Sequence, residues 1–267
     1  MEIALFYRTL GKRASDVSLH DLLNYKDLLE ERALKPITIA KKLTVLRRLF
    51  TFLYEQGVIP TNPSAGLKLP KTSNETTREI LSLTECNHFL HSIETDTIRG
   101  KRDKAIIALL LINGLRVCEI ARANIGDLVQ TDGCWVLRVR GKGGKIIDTR
   151  IRDDVRKVIQ AYLKARGRVE ERDALFIGTT HRAKDRIARR NVQHMVKTRL
   201  KNLGIDHPHV STHSLRHSSI THLINSGASL IAAQDFARHL NPATTQRYFH
   251  NLDRLKNHAV MMQPIRV

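Results

Sequence analysis

The chain has 267 residues, and at about 150 residues per domain this favours two domains over one, with cores that need no disulfide or metal staples. Lys and Arg number 45 against 26 Asp and Glu, a net charge of +19, and 42% of residues are apolar, so the chain is a basic globular protein and not a disordered tail. The longest apolar run, Ala105 to Ile112, is too short to cross a bilayer and no signal pattern precedes it, which excludes membrane insertion and secretion.

The first 70 residues read as helices. Ser18 followed by Asp21 is a capping signature, and Leu19, Leu22, Leu23 and Leu29 repeat behind it at helical spacing. Pro36 and Thr38 open a longer helix to Gly57, with Ile39, Leu43, Leu46, Phe50 and Leu53 on one face. The opposite face carries Lys41, Thr44 and Arg48, a stripe suited to a phosphate backbone that reads equally as a solvated helix face. Pro60, Pro63 and Pro70 then break regular structure, and the polar stretch from Lys71 to Glu79 is assigned as an interdomain linker. The expected division is therefore a helical domain over 1–70, a linker over 71–79 and a second domain over 80–267.

In the second domain Thr84 is the expected N-cap of a helix, and Lys104 to Asn113 is a core helix, apolar all round, ending at Gly114. Trp135 to Arg140 and Ile146 to Ile151 alternate as a β-hairpin around Gly141-Lys142-Gly143-Gly144, and Leu175 to Ile177 is a third candidate strand. A strongly basic segment follows, including Arg182, Lys184, Arg186, Arg189, Arg190, Lys197, Arg199 and Lys201. The remainder reads as helices, two of them separated at Gly227, the second ending at Asn241-Pro242. The fold class is mainly α with a small β-hairpin or sheet. Up to Thr72 there are 12 basic and 7 acidic residues and beyond it 33 and 19, so a nucleic acid could be gripped from both domains.

Cys86, Cys118 and Cys134 are odd in number and widely spaced, which fits a reducing, cytoplasmic compartment and offers no CxxC zinc site. His213 and His217 stand at i, i+4, but the HExxH glutamate and a third ligand are missing, so no metal is expected. Gly141 to Lys145 is too short for a phosphate-binding P-loop, and Ile146 stands where Ser or Thr should follow, so ATP is not implied.

Four patterns remain: Gly114-Leu115-Arg116-Val117-Cys118-Glu119, Gly141-Lys142-Gly143, His213-Ser214-Leu215-Arg216-His217, and His239 with Thr244-Thr245 and Tyr248. In this order and at these separations they resemble the tyrosine recombinase (phage integrase) family, and most of all its simple Xer-type members. The resemblance spans nearly the whole chain. It implies a helical core-binding domain, a linker and a mixed catalytic domain that cuts and rejoins DNA through a 3′-phosphotyrosyl intermediate, without metal or cofactor. The site it implies comprises Arg116, Lys142, His213, Arg216, His239 and Tyr248. Two forked guanidiniums, Arg116 and Arg216, suit the extra negative charge of a phosphorane-like state. Tyr248 would attack, and with a reference pKa near 10 only about 0.1% of a tyrosine is phenolate at pH 7, so it needs a base. The resemblance gives that role to His213, phosphate hydrogen bonding to His239 and protonation of the 5′ oxygen to Lys142. Glu119 is expected to orient Arg116.

Two departures from the family pattern stand out. Arg238 replaces the glycine usual before His239, and Met1 to Leu10 aligns with the later part of the family's first helix, as in a trimmed or minimal recombinase. Nothing resembles an arm-binding domain, so a short core site is expected. The resemblance also implies four protomers on two double-stranded DNA sites, at the nucleoid in the cytoplasm. The segment from Phe249 to Val267 would dock on a neighbour or on its own domain, using Leu252, Leu255, Val260 and Met261. Two other functions stay open. A type IB topoisomerase shares this chemistry but rejoins the same strand. A DNA-binding regulator would use Ser214 to Asn225 and Ser229 to Arg238 as a helix-turn-helix.

Overall fold

The structure, a computed structural model, describes residues 2–71, 80–141, 144–178, 185–205, 210–239 and 241–249. Lys142, residues 72–79 of the expected linker over 71–79, and the extension beyond Phe249 lie outside the described residues. The chain divides into two compact units, Met1–Thr77 and Arg78–Val267.

The first unit is built from α1 (Glu2–Leu10), α2 (Leu19–Glu31) and α3 (Pro36–Glu55). Ser18 and Asp21 form the capping box, the Asp21 carboxylate accepting from the Ser18 backbone N–H at 2.8 Å. Lys12, 2.7 Å away, and Ser18 hold that carboxyl down to about 2. Ile39, Leu43, Leu46 and Phe50 are buried on α3 against Phe6, Leu22, Tyr25 and Leu29, at roughly 1.5 to 3 kcal/mol per buried side chain. Phe6 stands edge-on to Tyr25 at 5.0 Å. On the other face Lys41 and Arg48 are exposed and Thr44 is half-buried, its hydroxyl donating to the Ala40 carbonyl of its own helix at 2.7 Å.

The second unit runs α4 (Leu83–His91), α5 (Ile98–Leu111), α6 (Val117–Arg122), β1 (Leu128–Thr131), β2 (Cys134–Arg140), β3 (Ile146–Arg150), α7 (Asp153–Arg166), α8 (Arg189–Asn202), α9 (Thr212–Asn225), α10 (Leu230–Ala237) and α11 (Pro242–Phe249). Helix α5 is the central post: Ala105 to Leu110 are all buried, and α7 and α9 pack on it. Its buried Asp103 is held by Arg102 and by Arg199 of α8, each at 2.7 Å, so two guanidiniums offset the cost of burying that carboxylate.

Four expectations are corrected. Helix α4 is capped by Ser82, whose hydroxyl accepts from the Glu85 N–H at 3.1 Å; Thr84 lies inside the first turn, because Glu85 completes the capping box with Ser82. Helix α5 begins at Ile98, a turn and a half before Lys104, because Thr97 caps it and accepts from Gly100 N–H at 3.0 Å. The third strand is β1, in an antiparallel sheet of order β1-β2-β3, and not Leu175 to Ile177. Leu175 and Phe176 are buried and make single backbone bonds with Ala123 and Ile187, too scattered for a ladder. Finally, Asn241-Pro242 opens α11 where it was expected to end α10, since proline fits the first turn of a helix and Arg238 has already closed α10.

Candidate active site

Gly114 begins the site. It turns the chain out of α5 with φ +54°, and a Cβ there would stand 2.8 Å from the Phe236 ring, so both the dihedral and the close packing demand glycine. The turn delivers Arg116 as the N-cap of α6. Glu119, one turn on and buried, accepts from the Arg116 backbone N–H at 2.7 Å and from its guanidinium at 2.8 Å, which is the orienting role expected for it. The Arg116 side chain keeps 33% of its surface exposed, so its outer edge is open to a ligand.

Arg216 comes from the middle of α9 and is buried. It donates to the carbonyl of Gly114 and to that of Ala237, at the end of α10. Burial, with the guanidiniums of Arg116 and Arg238 beside it, pushes Arg216 down to about 9, so it still carries its charge at neutral pH.

The departure at position 238 now has a structural meaning. Arg238 is the C-cap of α10 with φ +51° and ψ +46°, the left-handed corner that glycine adopts without strain. Its side chain folds back into the protein, donating to the Gly114 carbonyl at 2.9 Å, the Phe236 carbonyl at 2.9 Å and Glu119 at 3.3 Å. Arg116 reaches the Arg238 carbonyl at 3.3 Å. The last carbonyls of α10, which lack partners within the helix and sit at the negative end of its dipole, are thus capped by three guanidiniums.

The same corner places His239. Its Nε2 lies 3.3 Å from the Arg216 guanidinium and its Nδ1 is 3.0 Å from the hydroxyl of buried Thr245 on α11. A guanidinium only donates, so Nε2 accepts and the ring proton sits on Nδ1, facing Thr245. One turn further along α11 is Tyr248, in a small cluster with Ile220, Ile224, Ala233 and Ala237. Its ring stacks on His239 at 6.4 Å and meets His217 at 5.5 Å, and its hydroxyl is hydrogen-bonded to His217 Nδ1.

The structure therefore brings together Arg116, Arg216, His239 and Tyr248 within the second unit. His213 is exposed on the first turn of α9, and the residue found at the phenol is His217, one turn on and on the same face. Spacing carried a signal for it, since i, i+4 places both histidines above one another beside Arg216. Thr245, which accepts from the Nδ1 of His239, belongs to the Thr244-Thr245 pair noticed in the sequence, at i, i+3 from Tyr248. Among the described residues no group of three His, Cys, Asp or Glu could hold a metal ion, and no helix is long and apolar enough to cross a membrane.

Residues 79–254 match the sequence model of the phage integrase family. The chain is similar to the tyrosine recombinase XerC of a Roseiflexus species, 30% identical over 258 residues that cover 94% of this chain and 78% of that one. It is likewise similar to the tyrosine recombinase XerD of Vibrio vulnificus, 32% identical over 241 residues, 89% of this chain and 77% of that one. Among solved structures, the XerH site-specific recombinase bound to palindromic difH substrate shares the fold, with a TM-score of 0.76 at 20% identity over 93% of this chain and 73% of that one. So does a lambda integrase dimer bound to a COC′ core site, with a TM-score of 0.74 at 18% identity over 95% and 87%.

Proposed function

The chain belongs to the phage integrase family and is a site-specific DNA recombinase, and on that premise we propose that Tyr248 is its nucleophile and that Arg116, Arg216 and His239 receive the scissile phosphate. The observation that supports this reading is the continuity of the set: the phenol stacks on His239, His239 touches Arg216, and Arg216 shares the Ala237 carbonyl with Arg116.

The Tyr248 oxygen attacks phosphorus, a tyrosyl–phosphorus bond forms to the 3′ side, and the bond to the 5′ oxygen breaks. The phenol proton passes to an imidazole. His217 already holds that hydroxyl, and His213, exposed on the same face, stands beside Arg216 as the family-type base. The 5′ oxygen takes its proton from Lys142. Arg116 offers its exposed edge and Arg216 its buried charge to the non-bridging oxygens, in a setting where preorganised donors are worth more than in water. His239 joins them when a phosphate oxygen replaces its contact with Arg216 and the ring proton moves to Nε2. A phosphodiester is exchanged for a phosphotyrosyl ester of similar energy, so a 5′ hydroxyl from a second strand reverses the step.

The partner is double-stranded DNA, gripped by the catalytic unit and by the helical unit, where Lys41, Thr44 and Arg48 face the phosphates. Four protomers assemble on two sites, and the protein works in the cytoplasm at the nucleoid. A duplex nicked just beyond the cleavage point, so that the 5′ fragment diffuses away, should accumulate a covalent protein–DNA adduct. Tyr248→Phe should abolish it, and an adduct of undiminished yield with the phenylalanine variant would dismiss Tyr248 as the nucleophile. Products joined only between two defined sites, with no general plasmid relaxation, separate recombination from topoisomerase action.

A further inference from the structure

Two guanidiniums, those of Arg116 and Arg238, pair with the one carboxylate of Glu119, while Arg216 beside them is held by the Gly114 and Ala237 carbonyls. Glu119 is shared: its Oε1 takes the Arg116 guanidinium at 2.8 Å, while its Oε2 takes the Arg116 backbone N–H at 2.7 Å and the Arg238 guanidinium at 3.3 Å. Without Arg238, Glu119 would stand against Arg116 alone, and their charges would largely cancel at the residue that offers an open edge to the phosphate. With Arg238 in place, the buried carboxylate orients Arg116 while its charge is balanced from behind. Arg238 itself is nearly sealed, with 4% of its side chain exposed; its two terminal nitrogens serve Glu119 and the carbonyls of Gly114 and Phe236, and its Nε is buried, so it acts on the phosphate by its field. The backbone makes the same point: the corner at φ +51° suits glycine, yet it carries a large side chain aimed into the cluster.

We propose that Arg238 is a positioning residue for strand cleavage, the counter-charge to Glu119 that leaves Arg116 effectively cationic toward the scissile phosphate. The inference rests on the reading of Arg116 and Tyr248 given above. Failure of that reading would show in the unaltered protein, which would then form no Tyr248 adduct.

The test compares the full chain with Arg238→Gly and Arg238→Lys. Each is given nicked duplexes bearing either an ordinary phosphodiester or an uncharged methylphosphonate at the cleavage point, and single-turnover adduct formation is measured. Glycine is at ease at this φ, so the first variant removes the charge without adding backbone strain. On the phosphodiester its rate should fall about tenfold or more, the scale on which one preorganised electrostatic partner acts. On the methylphosphonate, which is uncharged in the ground state and carries one negative charge fewer in the transition state, the loss should shrink to about twofold. Lysine, which restores the charge but not the fork, should recover at least half of the lost rate on the phosphodiester. An equal loss on both linkages, a lysine variant as slow as glycine, or a glycine variant that no longer folds would each show Arg238 to be structural and overturn the proposal. A glycine variant as fast as the parent would overturn it as well.

Discussion

Positive charge is held in two opposite ways in this molecule. On α3 of the first unit, Lys41 and Arg48 lie in water on the face away from Phe50 and Leu46, where an ion costs nothing to hydrate and is weakened by salt. At the junction of α6, α9 and α10 in the second unit, Arg216 and Arg238 are buried, and their lost hydration is replaced by the carbonyls of Gly114, Phe236 and Ala237 and by Glu119. The first arrangement suits holding a long polyanion anywhere along its backbone. The second suits one phosphate at one place, because the donors are fixed before the ligand arrives and need no reorganisation.

The contrast breaks most sharply at Arg216→Lys. Lysine keeps the charge but cannot span the Gly114 and Ala237 carbonyls with a planar fork, so adduct formation on a nicked duplex should fall by roughly 10² to 10³. A loss below about fivefold would mean that charge alone suffices there, as it does on α3. Gly114→Ala attacks the frame and no charge: the left-handed dihedral and the Phe236 ring at 2.8 Å should together cost about 2 to 4 kcal/mol, read as a lower midpoint in urea denaturation. The Gly114 carbonyl that anchors two arginines would shift with it. His217→Ala removes the partner of the Tyr248 hydroxyl and should slow adduct formation about tenfold in a single-turnover assay; an unchanged rate would assign the proton to another base. The mildest change is expected on α3. Lys41→Ala and Arg48→Ala should each weaken binding about twofold to threefold on any duplex sequence and lower the slope of log K against log salt by about 1, measured by anisotropy titration.

The two regions also differ in how far the sequence made them legible. The elements of the first unit follow from neighbours: Ser18 finds Asp21, and Ile39, Leu43, Leu46 and Phe50 follow the turn of the helix. Most of the second unit reads the same way, with the hairpin β2–β3 recovered from alternation and turn glycines. The strand β1 was missed although its signal was present, since Asp132 and Gly133, at φ +49° and +73°, are the residues a two-residue hairpin prefers. Its side chains are only half-buried, so the alternation was faint. The boundaries that failed, at Thr84, Lys104 and Asn241-Pro242, each had a competing local signal, the caps Ser82 and Thr97 and the left-handed Arg238, and that signal set the element's end.

The identities of Arg116, Arg216, His239 and Tyr248 could be read along the chain because their spacing resembles a family pattern, and the structure brings all four into one cluster. That His217 meets the phenol, that Arg238 fills a left-handed corner and shares Glu119, and that Gly114 lends its carbonyl to two guanidiniums were decided only when α6, α9, α10 and α11 packed together. The physical reason is range. Helix periods and caps are settled by hydrogen bonds and contacts three or four residues apart, which a linear pattern displays. A buried charge instead must find its partners wherever the closed chain places them, and the partner of Arg238 stands 119 residues away.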